Sequence, residues 1–131
     1  MNKTIEQLYQ EIGKSALENT DSLSGKILVY AEVEDGAISA DMLYVNRANV
    51  VRLKFCPGSM QVMIYALWER WKEEPGNVEW RVLCYVIEGG KFSIDLTYPD
   101  QLNEEETVSD RRPRVIKKYF GDAKVDYSQP N

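Results

Sequence analysis

Apolar residues recur along this chain with two different periods, and the points where the period changes outline its elements. Ile5, Leu8, Tyr9, Ile12 and Ala16 recur every three or four residues, the stripe of an amphipathic helix. Thr4 before the stripe and Gln7 three residues on make a capping-box start, and Asn19-Thr20-Asp21-Ser22 is expected to end the helix in a turn. The period then drops to two. Ile27, Val29, Ala31 and Val33 alternate with Leu28, Tyr30, Glu32 and Glu34, which predicts a strand with one face against a core. Asp35-Gly36 supplies the positive φ of a tight turn, and Ile38, Ala40, Met42 and Tyr44 form the return strand. Val50 to Phe55 predicts a short third strand, stopped by Cys56-Pro57-Gly58.

Helical spacing returns with Met60, Met63, Ile64, Leu67, Trp68 and Trp71, with Ser59 as the expected N-cap and Pro75-Gly76 ending the helix near Glu74. Trp80 to Ile87 alternates but is apolar on both faces in its centre, so this strand belongs inside the sheet. Gly89-Gly90 turns the chain into Phe92, Ile94 and Leu96, whose other face carries Ser93, Asp95 and Thr97. Pro99 to Glu106 is polar and acidic, a surface loop. Ser109 to Pro113 opens a last helix with its proline in the first turn; Val115, Ile116, Tyr119 and Phe120 form its stripe and Gly121 stops it. Residues 122–131 are expected to fray. The order is helix, two or three strands, helix, two strands, helix. This predicts a single α+β domain over 1–131, an antiparallel sheet of four to five strands with the helices on one of its faces.

Composition narrows the chemistry. The 131 residues contain no histidine, which removes Ser-His-Asp, Cys-His and His-metal sites together. Acids outnumber bases 21 to 16, a balance that disfavours nucleic acid and anionic membranes and favours basic partners. Cys56 and Cys84 lie among apolar residues and read as buried thiols rather than a disulfide framework or a zinc site. No segment approaches the length of a membrane span, and no leader pattern opens the chain, so a cytoplasmic protein is expected. No D-x-D-x-D-G calcium loop or phosphate-cradling glycine loop is present. Neither catalytic residues nor a metal or cofactor site are assigned.

What remains is binding. Asp100, Glu104, Glu105 and Glu106 form an acidic run that is followed by Arg111, Arg112, Arg114, Lys117 and Lys118. One reading is self-neutralisation along the last helix and its dipole. The other is a negative surface built from that loop and the sheet's polar face, Glu32 included, with Tyr98 and Tyr44 as aromatic anchors. Acids so presented would compete with nucleic acid for a nuclease's phosphate-binding lysines and arginines, and would steer fast association.

Four segments carry a family likeness. Ile5-Glu6-Gln7-Leu8-Tyr9-Gln10-Glu11-Ile12-Gly13, the hairpin Val29-Tyr30-Ala31-Glu32-Val33-Glu34-Asp35-Gly36, the strand Gly90-Lys91-Phe92-Ser93-Ile94-Asp95-Leu96-Thr97-Tyr98, and Arg111-Arg112 with Lys118-Tyr119-Phe120-Gly121 resemble, in this order, the YezG-like antitoxin and immunity proteins. The stretch from Asn46 to Glu79 lies outside the likeness. The resemblance implies a small cytosolic α+β protein that binds the C-terminal domain of a polymorphic toxin, typically a nuclease, and blocks it without catalysis. It supplies no binding residue; Tyr98, Asp100, Glu104, Glu105, Glu106, Glu32 and Tyr44 are the candidates that the residues themselves suggest. The alternatives are a small-ligand or regulatory module using Trp68, Trp71 and Trp80 as a pocket, and a carboxylate metalloenzyme.

Overall fold

The computed structural model describes residues 3–20, 26–45 and 50–126. The expected break at Asp21-Ser22 and the fraying of 127–131 lie outside the described residues. The elements are α1 (Ile5–Asn19), β1 (Ile27–Glu34), β2 (Ala37–Val45), β3 (Val51–Phe55), α2 (Gly58–Glu73), β4 (Val82–Glu88), β5 (Lys91–Thr97), a 3-10 turn (Pro99–Gln101), α3 (Val108–Phe120) and β6 (Val125–Asp126). The fold is α+β in the expected order. The six strands form one sheet in the order β5-β4-β1-β2-β3-β6.

Local chemistry accounts for most boundaries. The Thr4 hydroxyl accepts from the Gln7 amide at 3.1 Å while the Gln7 side chain accepts from the Thr4 amide at 2.8 Å, so two orphan donors of α1 are satisfied reciprocally. Gly36 takes φ 80° at the β1–β2 turn, and Gly89 and Gly90 take 62° and 78° between β4 and β5, the left-handed pair that a two-residue hairpin requires. A helix of α1's length is marginal by itself, so packing must hold it. Leu8, Ile12 and Ala16 bury against Ile64, Leu67 and Trp68 of α2 and the odd-numbered side chains of β1.

The sequence expectations need four corrections. First, the sheet is mixed: β6 runs parallel to β3, pairing Val51 with Val125 and Arg52 with Asp126. The segment 122–126, expected to fray, therefore closes one edge. Second, the helices cover both faces of the sheet. α1 and α2 lie over Val29, Met42 and Tyr85, while Ile116 of α3 buries a second core of Leu28, Tyr30, Leu43, Leu53, Val82 and Cys84. Third, β1 is in consequence buried on both faces up to Val33, because it is the central strand, antiparallel to both β2 and β4. Fourth, the elements around two breaks shift. β4 begins at Val82, leaving Trp80 as a buried side chain ahead of the strand. α3 begins at Val108, ahead of the expected Ser109, capped by Thr107 and Asp110, so Pro113 sits inside the helix rather than in its first turn.

Candidate protein-binding face

The seven candidate residues divide by burial. Glu32 and Tyr44, expected on the surface, are 7% and 6% exposed. Tyr44 points into the core beneath α1 and α2, because the even-numbered residues of β2 share the face of β1's odd-numbered ones. Glu32 lies under α3. It accepts from the Tyr30 hydroxyl and from the Arg111 fork, with Nε at 2.9 Å and Nη2 on the other oxygen. That bonding holds the guanidinium firmly protonated. Next to it Arg112 reaches buried Asp41 on β2 at 3.1 Å. Burial raises the Asp41 carboxyl above its ordinary value, and Arg112 opposes the rise. The two arginines read as part of a self-neutralised helix are therefore the bolts that fix α3 to β1 and β2. Nothing in the local spacing shows this, because the ion-pair partners lie some 70 to 80 residues away.

Glu106 is also withdrawn from the surface set. Arg114 holds its carboxylate at 2.6 and 2.7 Å, and its carbonyl accepts from Arg111 at 2.8 Å. The Arg114 hydrogen bond draws the Glu106 carboxyl below its usual range. Here the self-neutralising reading holds.

Tyr98, Asp100, Glu104 and Glu105 remain outward. Thr97 ends β5, and the chain turns at Tyr98, whose amide donates to the Gln101 side chain at 2.9 Å. That 3-10 turn sets Tyr98, Pro99 and Asp100 against the segment leaving α2. The α2 segment is fixed in turn. The Trp71 indole donates to the Val78 carbonyl at 2.8 Å, the Asn77 side-chain amide to the Trp71 carbonyl at 3.1 Å, and the Arg81 backbone amide to the Thr97 carbonyl at 2.8 Å. Between the two segments lies a cleft of about 650 Å³ walled by Trp71, Val78, Glu79, Tyr98, Pro99 and Asp100. Trp71 and Tyr98 are half-buried, and Val78 is 64% exposed. Glu79 has a loose partner in Lys72 at 3.7 Å. Asp100, Glu104 and Glu105 are exposed and have no ion-pair partner among the described residues. An aromatic slot with the exposed Asp100 carboxylate in its wall suits a basic, partly apolar protuberance.

Trp68 and Trp80 do not line this cleft. Both are 1% exposed, and the Trp68 indole donates to the Trp80 carbonyl at 2.8 Å. Sequence reasoning missed Val78 and Pro99, which carry no periodic signal and become wall residues only because the α2–β4 connection folds back along the end of β5. The thiols are not poised for chemistry: burial pushes Cys84 up to about 11 and Cys56 higher still, with Asp41 adding to the latter. Among the described residues no three His, Cys, Asp or Glu side chains gather to hold a metal ion, and no helix is long and apolar enough to cross a membrane. No protein-family model and no curated protein matches the chain.

Proposed function

We propose that this chain is an immunity protein: a non-catalytic cytoplasmic inhibitor that binds the C-terminal domain of a cognate toxin, a nuclease, and covers its active site or the adjoining substrate surface. The observation that carries the reading is the Trp71–Tyr98 cleft with Asp100 in its wall and Glu104 and Glu105 exposed on the loop that follows, all three without an ion-pair partner among the described residues. A nuclease gathers lysine and arginine to hold phosphate, and such a surface finds here both a Coulombic complement and an aromatic anchor. The elements behind the cleft are tied by indole and backbone hydrogen bonds, that of Trp68 buried, so little ordering is required on binding. The order of motifs shared with YezG-like immunity proteins supports the same reading.

The decisive experiment is co-purification with the toxin domain encoded beside this chain, followed by a nuclease assay with stoichiometric inhibitor. Activity that persists in excess inhibitor refutes the proposal. The two parts of the face separate kinetically. Charge reversal of Asp100, Glu104 and Glu105 slows association and mimics high salt, whereas Tyr98→Ala accelerates dissociation with little salt dependence. The volume of the cleft and its half-buried Trp71 also suit a small ligand. Quenching of Trp71 fluorescence by a metabolite, with no binding to the toxin domain, would favour that second reading.

A further inference from the structure

On the side of the sheet away from β6, β5 is an edge strand, bonded to β4 and, among the described residues, to no other strand. The hairpin that creates it also fixes which way its backbone groups point. Gly89 and Gly90 form a two-residue turn, so Glu88 and Lys91 are a hydrogen-bonded pair, and bonded pairs alternate along an antiparallel ladder. Lys91, Ser93, Asp95 and Thr97 therefore spend their amides on β4, while the N–H and C=O groups of Phe92, Ile94 and Leu96 face outward. Edges of this kind are normally covered, bulged or cut short. This one is seven residues long and carries no proline.

The edge adjoins an apolar groove of about 450 Å³ between α1 and the β4–β5 hairpin, walled by Gly13, Lys14, Leu17, Tyr85 and Phe92. Leu17 is 57% and Phe92 44% exposed, two of the five large apolar side chains most open to water among the described residues. Phe92 stacks on Tyr85 with ring centres 5.1 Å apart and planes 9° from parallel, so it presents a firm surface.

The strand is also complementary to itself. On its α3 side Lys91 and Asp95 stand four residues apart with Ser93 midway. A two-fold axis through Ser93, with two β5 strands antiparallel, sets each Lys91 opposite Asp95 of the other copy and each Phe92 opposite Ile94. Both matches satisfy the direction of the free amides: Phe92 and Ile94 become bonded pairs, and the charges fall at unbonded positions, where side chains stand closest. Lys91 has no ion-pair partner among the described residues, and Asp95 holds only Lys118, at 3.0 Å, with half its side chain exposed.

We propose that β5 is a homotypic pairing edge, through which a second copy of this chain joins its own β5 about Ser93 and extends the sheet across a two-fold axis. α1 reaches across β4 to β5, its Tyr9 carbonyl accepting from Tyr85 at 2.7 Å and its Tyr9 ring lying 5.9 Å from Phe92. Two copies of α1 thus flank the seam on the same face, and Leu17 and Phe92 close beneath them. The paired stretch ends before Tyr98, so this inference does not depend on the toxin-binding reading and leaves that cleft outside the strand pair.

The test is a charge swap between chains, read by sedimentation velocity and native mass spectrometry from low to high micromolar concentration. The native chain is expected to dimerise with concentration. Lys91→Glu sets a carboxylate against Asp95 of the other copy, and Asp95→Lys sets an ammonium against the other copy's Lys91. Each variant alone should raise the dimer dissociation constant on the order of tenfold or more. When the two variants are mixed, Lys91→Glu, which carries acids at both positions, meets Asp95→Lys, which carries bases at both. Their heterodimer faces acid with base at both ends and should form in preference to either homodimer. Asp95→Lys also places a second cation beside Lys118, so Ile94→Pro is the companion variant; it deletes one outward N–H, leaves the β4 bonds in place, and should abolish the dimer. A native chain that stays monomeric overturns the proposal. So does a dimer indifferent to Ile94→Pro, or single variants that fail to prefer each other when mixed.

Discussion

Gly13 lies in the middle of α1, where glycine costs a helix about 1 kcal/mol relative to alanine. On helical grounds Gly13→Ala should therefore stabilise the protein. The structure gives the opposite sign. A Cβ at this position would lie 2.5 Å from the Tyr85 hydroxyl oxygen and 3.5 Å from Cζ behind it. That hydroxyl is not free to move, because it donates to the Tyr9 carbonyl at 2.7 Å; burial pushes its pKa up to about 12, so it stays a donor throughout the accessible pH range. Forcing the ring back costs about 1–3 kcal/mol in overpacking, and the lost hydrogen bond costs about 1 kcal/mol more. Against the helical gain the net effect is a loss of about 1–3 kcal/mol. Tyr85→Phe removes the offending atom and leaves ordinary contacts, so in that background the same Gly13→Ala change should add about 1 kcal/mol. Urea unfolding of all four proteins at constant m-value measures the cycle. If Gly13→Ala raises stability with Tyr85 intact, or has the same effect in both backgrounds, the close approach is not what keeps glycine there.

The bolts of α3 give a second test: Glu32→Gln or Arg111→Leu alone should cost about 3–5 kcal/mol by stranding a buried charge, while the apolar double variant Glu32→Leu/Arg111→Met should recover most of that loss. The pH dependence of two carboxylates should run in opposite directions. Asp41 has a folded pKa above its unfolded value, so its contribution is complete at low pH and is lost as pH rises through the folded value; Asp41→Asn should therefore compare better with the native protein near pH 7 than near pH 4. Glu106 is shifted down, so whatever it contributes is present at neutral pH and lost on acidification; Glu106→Gln should be most costly at neutral pH and least costly in acid. Both thiols should resist an aromatic disulfide reagent at pH 8 in the folded protein and react on unfolding, and rapid labelling of either in the folded state would contradict the burial described.

Elements whose signal is local were legible in the sequence. Thr4 and Gln7 mark the start of α1, Asp35-Gly36 and Gly89-Gly90 mark two hairpins, and the doubly apolar β4 marks a strand inside the sheet. The second layer of helix was not, although its trace was present. Leu28 and Tyr30 occupy the supposedly wet face of β1, and the stripe from Val115 to Phe120 needed an apolar surface to cover. The side of the sheet that a helix takes is decided by crossovers, which periodicity does not encode. Glu32 was misplaced for the same reason: an acid at the end of a strand beside a turn reads as solvated unless its arginine, 79 positions along, is known to arrive. Of the candidate face, Tyr98, Asp100, Glu104 and Glu105 could be named in advance because their loop is mostly polar and acidic. The conjunction of Tyr98 and Asp100 with Trp71 and Val78 could not, because it arises from two connections folding back at one end of the sheet.

The order of the strands has a consequence for synthesis. β1 acquires its first neighbour as soon as the chain has been made through Val45, but its other flank belongs to β4, which is complete only at Glu88. At roughly 5–20 residues per second, a ribosome takes roughly 2–9 seconds over the intervening stretch. During that interval the future centre of the sheet is an open, strongly apolar border on a growing polypeptide. Chaperones that capture extended apolar segments would find their target in this nascent β1–β2 hairpin rather than in the finished molecule, and translational pausing between Phe55 and Val82 would prolong the exposure.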